Sequence, residues 1–166
     1  DVDRLMPWIK NTKGSIRAAA FKALFKIMPS SASVLAETAI ADSSTKVINE
    51  IVGRWISDPL LIDRHMLHTA FMAQKSNRAK VRLIDAARYL GRWISLEMLL
   101  GWYASATPDI REAIRDELGY WKFRQAYQYT KLPPETRETI KKQLIALKKT
   151  HMDHDWSQYD HILDFA

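Results

Sequence analysis

Apolar positions recur along this chain at steps of three and four almost without interruption, the period of an amphipathic α-helix. The clearest stretch is residues 75–94, KSNRAKVRLIDAARYLGRWI. Val81, Leu83, Ile84, Ala87, Leu90 and Ile94 share a broad apolar face, while Lys75, Arg78, Arg82, Asp85, Tyr89 and Arg92 fall on one polar stripe. Ser76 or Asn77 caps the start, and no proline interrupts the run. The pattern predicts one helix over the whole stretch, packed against several neighbours. Val81 and Leu90, with Ile110 and Leu118 further on, are expected in the core.

The same period runs through the rest of the chain. Residues 2–11 read as a short helix in which Pro7 is tolerable only in the first turn. Ser15 leads into a helix with Ile16, Ala19, Ala20, Ala23, Leu24 and Ile27 on one side. A short helix over 33–41 is followed by one carrying Val47, Ile48, Ile51, Val52, Trp55 and Ile56, where Glu50 and Arg54 are spaced as an i,i+4 ion pair and Asp58-Pro59 stops the run. A third pair begins LLIDRHMLHTAFMA and ends in the 75–94 stretch. A fourth begins SLEMLLGWYASA and resumes after Thr107-Pro108, with Thr107 as N-cap and Ile110, Ala113, Ile114, Leu118 and Trp121 facing inward. After Leu132-Pro133-Pro134, residues 135–149 form a basic amphipathic helix with Ile140, Leu144 and Leu147 on one side. The segment 150–166 then carries four aspartates and no lysine or arginine.

Helical pairs of this kind form a repeat. The second helices start at Ile16, Val47, Val81 and Ile110, spaced by 31, 34 and 29 residues; Leu5, Leu35, Leu67 and Leu99 mark the first helices at 30, 32 and 32. Asp109-Ile110-Arg111 with Leu118, Ile16-Arg17 with Ala20 and Leu24, and Val81-Arg82 with Leu90 resemble the second helices of short HEAT-like repeats of the phycobilisome-lyase type. In the second unit Ile48 stands where that pattern expects arginine. The resemblance covers about residues 2–127. It implies an all-α fold, a right-handed α-solenoid of about four HEAT-like helix pairs with a C-terminal helical cap. A tetratricopeptide array has a 34-residue period, but its Trp, Leu-Gly and Tyr positions are not met here. An irregular helical bundle is the remaining alternative. The organisation expected is a repeat array over 1–131 and a basic helix with an acidic-aromatic cap or tail over 132–166. Stacked pairs close a core that one pair cannot, and the second helices then present an extended surface.

Composition narrows the function classes. With 47% hydrophobic and 27% charged residues, the 166-residue chain has the balance of a globular protein. It has no cysteine, which excludes disulfide and thiol chemistry and fits a reducing compartment, so the expected location is cytoplasmic. No run approaches the roughly 20 apolar residues of a membrane span, and no membrane insertion is expected. The chain starts at Asp1, as expected of a domain from a larger protein. A net charge of +6 favours acidic partners.

The candidate binding surface is Lys75, Arg78, Arg82, Tyr89 and Arg92, extended from neighbouring second helices by Arg17 and Arg54, with Lys22, Lys26, Arg111 and Arg115 as further contributors. Asp85 lies one turn from both Arg82 and Arg88 and is placed to neutralise one of them. HEAT-like DNA alkylation-repair glycosylases use aromatic residues in a basic groove with an acid near the lesion; Trp55, Trp93 and Trp121 with Asp85 or Asp116 are the residues to compare. Trp55 and Trp121 continue apolar faces and read as core. His65 and His68 are spaced i,i+3, and His151, Asp153, His154, Asp155 and His161 cluster near the end, but neither group completes a zinc motif, so no metal or cofactor is expected. No phosphate loop or nucleophile elbow is present, and no catalytic residue is assigned. Trp156, Tyr159, Ile162, Leu163 and Phe165 either fold back as a cap, the preferred reading, or lead into a following domain. The function expected is non-catalytic recognition or scaffolding of a protein partner with an acidic surface. The alternative is nucleic-acid binding on the same basic face.

Overall fold

A computed structural model describes residues 1–125 and 130–164, without the side chains of Gln125, Ile162 and Asp164. Ala126 and Tyr127, placed by the sequence pattern at the end of a helix, and Phe165 of the tail lie outside the described residues. Among the described residues the chain is all-helical, and it divides into two compact units, Asp1–Tyr89 and Leu90–Ala166.

The first unit opens with α1 (Val2–Leu5) and a 3-10 segment over Met6–Lys10, where Pro7 sits in the first turn and its missing N–H costs nothing. Then come α2 (Gly14–Ile27), α3 (Ala32–Ile40), α4 (Thr45–Ser57), α5 (Arg64–Ala73) and α6 (Asn77–Ala87). The longer helices pack in series, α2 on α4 and α4 on α6; α3 packs on α5, and each of α3 and α5 packs on the helix that follows it. Phe21, Leu24, Ile48, Ile51, Trp55, Leu67, Phe71 and Leu83 fill the core between them, all essentially without solvent exposure. Each such side chain contributes about 1.5–3 kcal/mol by leaving water.

The N-caps of the three longer helices are evenly spaced. Lys13, Ser44 and Ser76 are the N-cap residues of α2, α4 and α6, so the structural spacing is 31 and then 32 residues. Counted from these caps, Ile16, Val47 and Ala79 are equivalent, and so are Arg17, Ile48 and Lys80. In α6 the pair in this position is Ala79-Lys80, two residues earlier than the Val81-Arg82 that the sequence pattern suggests. Val81 is correspondingly 37% exposed, whereas Leu83 and Ile84 are buried. Ser76 caps α6 by accepting from the Ala79 N–H at 3.4 Å.

The helix expected over 75–94 is two helices. The first, α6, ends at Ala87 in the first unit; the second, α7 (Arg92–Ser105), starts in the second with Gly91 as its N-cap. Leu90, expected in the core, falls in the intervening turn and is partly exposed.

In the second unit α7 packs on both α8 (Pro108–Gln125) and α9 (Pro134–Thr150). Being covered from two sides, α7 buries Trp93, Leu96, Met98, Leu99, Leu100, Trp102 and Tyr103, with no polar stripe of its own. Ile110, Ile114, Leu118 and Trp121 of α8 and Ile140, Leu144 and Leu147 of α9 are buried as the pattern required. The tail folds back within this unit: Trp156, Tyr159 and Leu163 are buried, the last on α10 (Asp160–Asp164).

Candidate binding surface

The residues of the predicted basic stripe have four different fates. Arg17 is consumed by the fold. Its Nε and Nη2 donate to Asp42 Oδ2 and Oδ1 at 2.6 and 2.7 Å, and its Nη1 donates to the Asn11 and Thr12 carbonyls at 2.7 and 2.9 Å. Asp42 Oδ1 also accepts the Ser44 N–H at 2.7 Å, and the Asp42 carbonyl accepts from Gln74 Nε2 at 2.8 Å. Burial pulls the Asp42 carboxyl upward, but the Arg17 and Ser44 hydrogen bonds outweigh it and hold the pKa below its ordinary value. Asn11, Asp42 and Gln74 occupy the same position, two residues before each N-cap, so these contacts form a polar ladder across the three loops.

Arg54 and Arg82 are on the surface but engaged. Arg54 pairs with Asp58 at 3.5 Å rather than with Glu50, the partner its spacing suggested. Asp85 is shared by Arg82 at 2.8 Å and Arg88 at 3.4 Å, so it partly neutralises both. Tyr89 is exposed just beyond the end of α6. Lys75 and Arg78 are exposed at the N-terminal end of α6, and no ion pair involves them among the described residues.

Arg92 belongs to the second unit. Its guanidinium lies over the Trp93 ring at 4.2 Å and within 5.8 Å of Trp121, and its carbonyl accepts from Trp121 Nε1 at 2.8 Å. Desolvation lowers its pKa from the ordinary value, as packing among indoles dictates. Trp93, whose placement the pattern left open, is buried and donates to the Thr130 carbonyl. Arg111 and Arg115 are also engaged, with the Tyr103 carbonyl at 3.3 Å and with Asp153 at 3.0 Å.

A groove between α2 and α4 brings Lys22, Lys26 and Arg54 of the candidate surface together with residues the sequence pattern did not mark. Lys22, Phe25 and Lys26 of α2 and Glu50, Gly53, Arg54 and Ser57 of α4 line it, with a volume of ≈ 340 Å³. Gly53 opens it: a Cβ there would meet nothing within 4 Å. The signal in the sequence was a glycine in the middle of an otherwise strong helix, where it costs about 1 kcal/mol relative to alanine. Lys22 and Lys26 are exposed and form no ion pair among the described residues.

Of the C-terminal cluster, His151 and His154 pack against aromatic rings, Asp153 and Asp155 are hydrogen-bonded at the surface, and His161 is exposed. His154 stacks edge-on against Trp156 at 4.5 Å, Trp156 against Tyr103 at 4.7 Å, and His151 against Tyr103 at 5.4 Å. Asp153 is held by Arg115, and Asp155 accepts from the Ser157 N–H at 3.0 Å. Tyr159, buried beside them, has its hydroxyl pKa pushed up to about 12 by desolvation. Among the described residues no three His, Asp or Glu side chains are grouped to hold a metal ion, and no helix is long and apolar enough to cross a membrane. The chain matches no protein-family model, no curated protein and no solved structure.

Proposed function

We propose that the chain is a non-catalytic recognition module, in which HEAT-like helix pairs form an α-solenoid and hold a protein partner on the face made by α2, α4 and α6. The groove between α2 and α4 carries this reading. It is open, Phe25 is among its lining residues, and Lys22 and Lys26 of α2 line it without ion-pair partners among the described residues. An extended segment bearing acidic side chains fits that chemistry: its carboxylates pair with the two lysines, and its backbone passes over Gly53. Serial packing of α2, α4 and α6 supports the repeat interpretation, and the polar ladder keeps the three helices in fixed register, so little ordering entropy is lost on binding.

Selection from a displayed random-peptide library tests this. The expected outcome is an acidic consensus whose binding is abolished by Lys22→Glu with Lys26→Glu and blocked by Gly53→Trp, which fills the groove from an open position. Selected peptides that tolerate both changes, or a selection that enriches nothing, would discard the groove as the recognition site.

A further inference from the structure

A second surface of the first unit carries a different chemistry. The N-terminal ends of α2, α4 and α6 meet along one edge. A Cβ on Gly14 would lie 2.2 Å from Ser44 Oγ, so the start of α2 touches the cap of α4. Thr45 Oγ1 lies 3.1 Å from Ser76 Oγ, so the start of α4 touches the cap of α6. Lys13, Lys46, Lys75 and Arg78 lie within two residues of these contacts, all exposed, and no ion pair involves any of them among the described residues. Asp42, in the loop before the α4 cap, is already paired with Arg17.

We propose that this edge binds the phosphate backbone of a nucleic acid. Four exposed cations stand at or next to the starts of three helices whose loops the Arg17–Asp42–Gln74 ladder links. None of the three helices carries an acid in its first turn, where acids are ordinarily favoured, so their positive ends add to the field of the side chains. With helices packed 8–10 Å apart, the row extends roughly 20 Å, enough to follow several consecutive phosphates.

The same edge disfavours a protein partner. None of the residues from Lys13 to Ser15, Ser44 to Lys46 or Lys75 to Arg78 is a large exposed apolar side chain of the kind that anchors protein interfaces. Exposed Thr12, Ser15 and Ser43 lie next to these positions in the chain instead. Hydroxyl, amide and ammonium donors are the groups that contact phosphate and sugar without reading sequence. The inference is independent of the α2–α4 groove.

Fluorescence anisotropy with labelled duplex DNA and labelled single-stranded RNA of mixed sequence tests it. Affinity is expected to fall linearly with salt on logarithmic axes. Lys46→Gln with Arg78→Gln should weaken all sequences alike and reduce the slope by about two on duplex DNA. Lys141→Gln with Lys142→Gln on α9 should leave that slope unchanged, as should the Lys22→Glu, Lys26→Glu pair, apart from a uniform long-range loss of affinity. Circular dichroism melts should not move for the edge variant. No binding at low salt, or binding indifferent to the edge substitutions, overturns the proposal. So does polyglutamate bound as tightly and lost in the same variant, which would assign the edge to an acidic protein.

Discussion

Arg17 holds both carboxylate oxygens of Asp42 across 25 residues of chain, and with the same guanidinium it ties down the loop that precedes its own helix. One side chain thus joins the first two helix pairs, and Gln74 adds the third through the Asp42 carbonyl. At 16% and 10% side-chain exposure the pair is largely shielded from solvent, so removing one partner leaves the other charge poorly solvated.

Arg17→Met is therefore expected to cost roughly 2–3 kcal/mol, more than an exposed ion pair but less than a fully buried one. Its acid limb should also change. Because the Asp42 pKa is lowered on folding from 3.8, its contribution is complete above that value and is lost as pH falls through the folded pKa. Urea unfolding from pH 6 to 2 should show this loss in the native protein and a shallower one in Arg17→Met. Parallel curves would remove Asp42 from the acid response.

Two glycines in the first unit should respond to alanine with opposite signs. At Gly14 the new methyl meets Ser44 Oγ at 2.2 Å and Ser44 Cβ at 2.7 Å. Overpacking of that kind costs about 1–3 kcal/mol. Ser44→Gly should recover much of the loss in a double-mutant cycle. At Gly53 the space is open and the position lies mid-helix, so Gly53→Ala should stabilise by about 0.5–1 kcal/mol. Destabilisation at Gly53 would contradict an open groove.

The register of α6 gives the third prediction. Leu83→Ala, at a fully buried position, should cost about 2–5 kcal/mol. Val81→Ala, more than a third exposed, should stay within about 0.5 kcal/mol. Equal losses from the two would restore the register that the sequence pattern suggested.

That register shows where sequence reasoning stops. Helix existence was legible because large apolar side chains recur at helical spacing, and the starts of α2 and α4 were found within a few residues. In α6 the buried position equivalent to Ile16 and Val47 is Ala79, which carries too little apolar surface to stand out, so Val81-Arg82 took its place. The break between α6 and α7 was hidden for a related reason: Leu90 and Ile94 continue the three-and-four spacing across it, and only Gly91 marked the boundary. Charge could be counted along the chain, but not its pairing. Arg17 and Arg82 look alike in the sequence, yet one is a clasp between loops and the other shares a surface carboxylate with Arg88. Lys46 and Lys13 carry no signal in the pattern because they fall outside the helix face and belong to an edge that exists only when three loops come together.

His154 is expected to make the packing of the tail pH-dependent. Its ring packs on Trp156 at 4.5 Å and lies 3.3 Å from Gln158 Nε2, with Arg115 from α8 and Asp153 and Asp155 from the tail nearby. Desolvation first, and then the Arg115 charge, lower its pKa from 6.5; the two aspartates offset part of this. A histidine lowered on folding takes up its proton first in the unfolded state. Stability is therefore unaffected above the unfolded pKa and declines as pH falls below 6.5, levelling off once the folded state also protonates. Thermal melts of the native chain should move down between pH 7 and 5. His154→Phe keeps an aromatic ring against Trp156 but cannot take up a proton, so its melts should move less over the same interval. Trp156→Ala should cost about 3–5 kcal/mol at neutral pH, because it empties the centre of the Tyr103–Trp156–Tyr159 cluster. An imidazole titration by NMR that places His154 at or above 6.5 would refute the pH dependence while leaving the packing prediction standing.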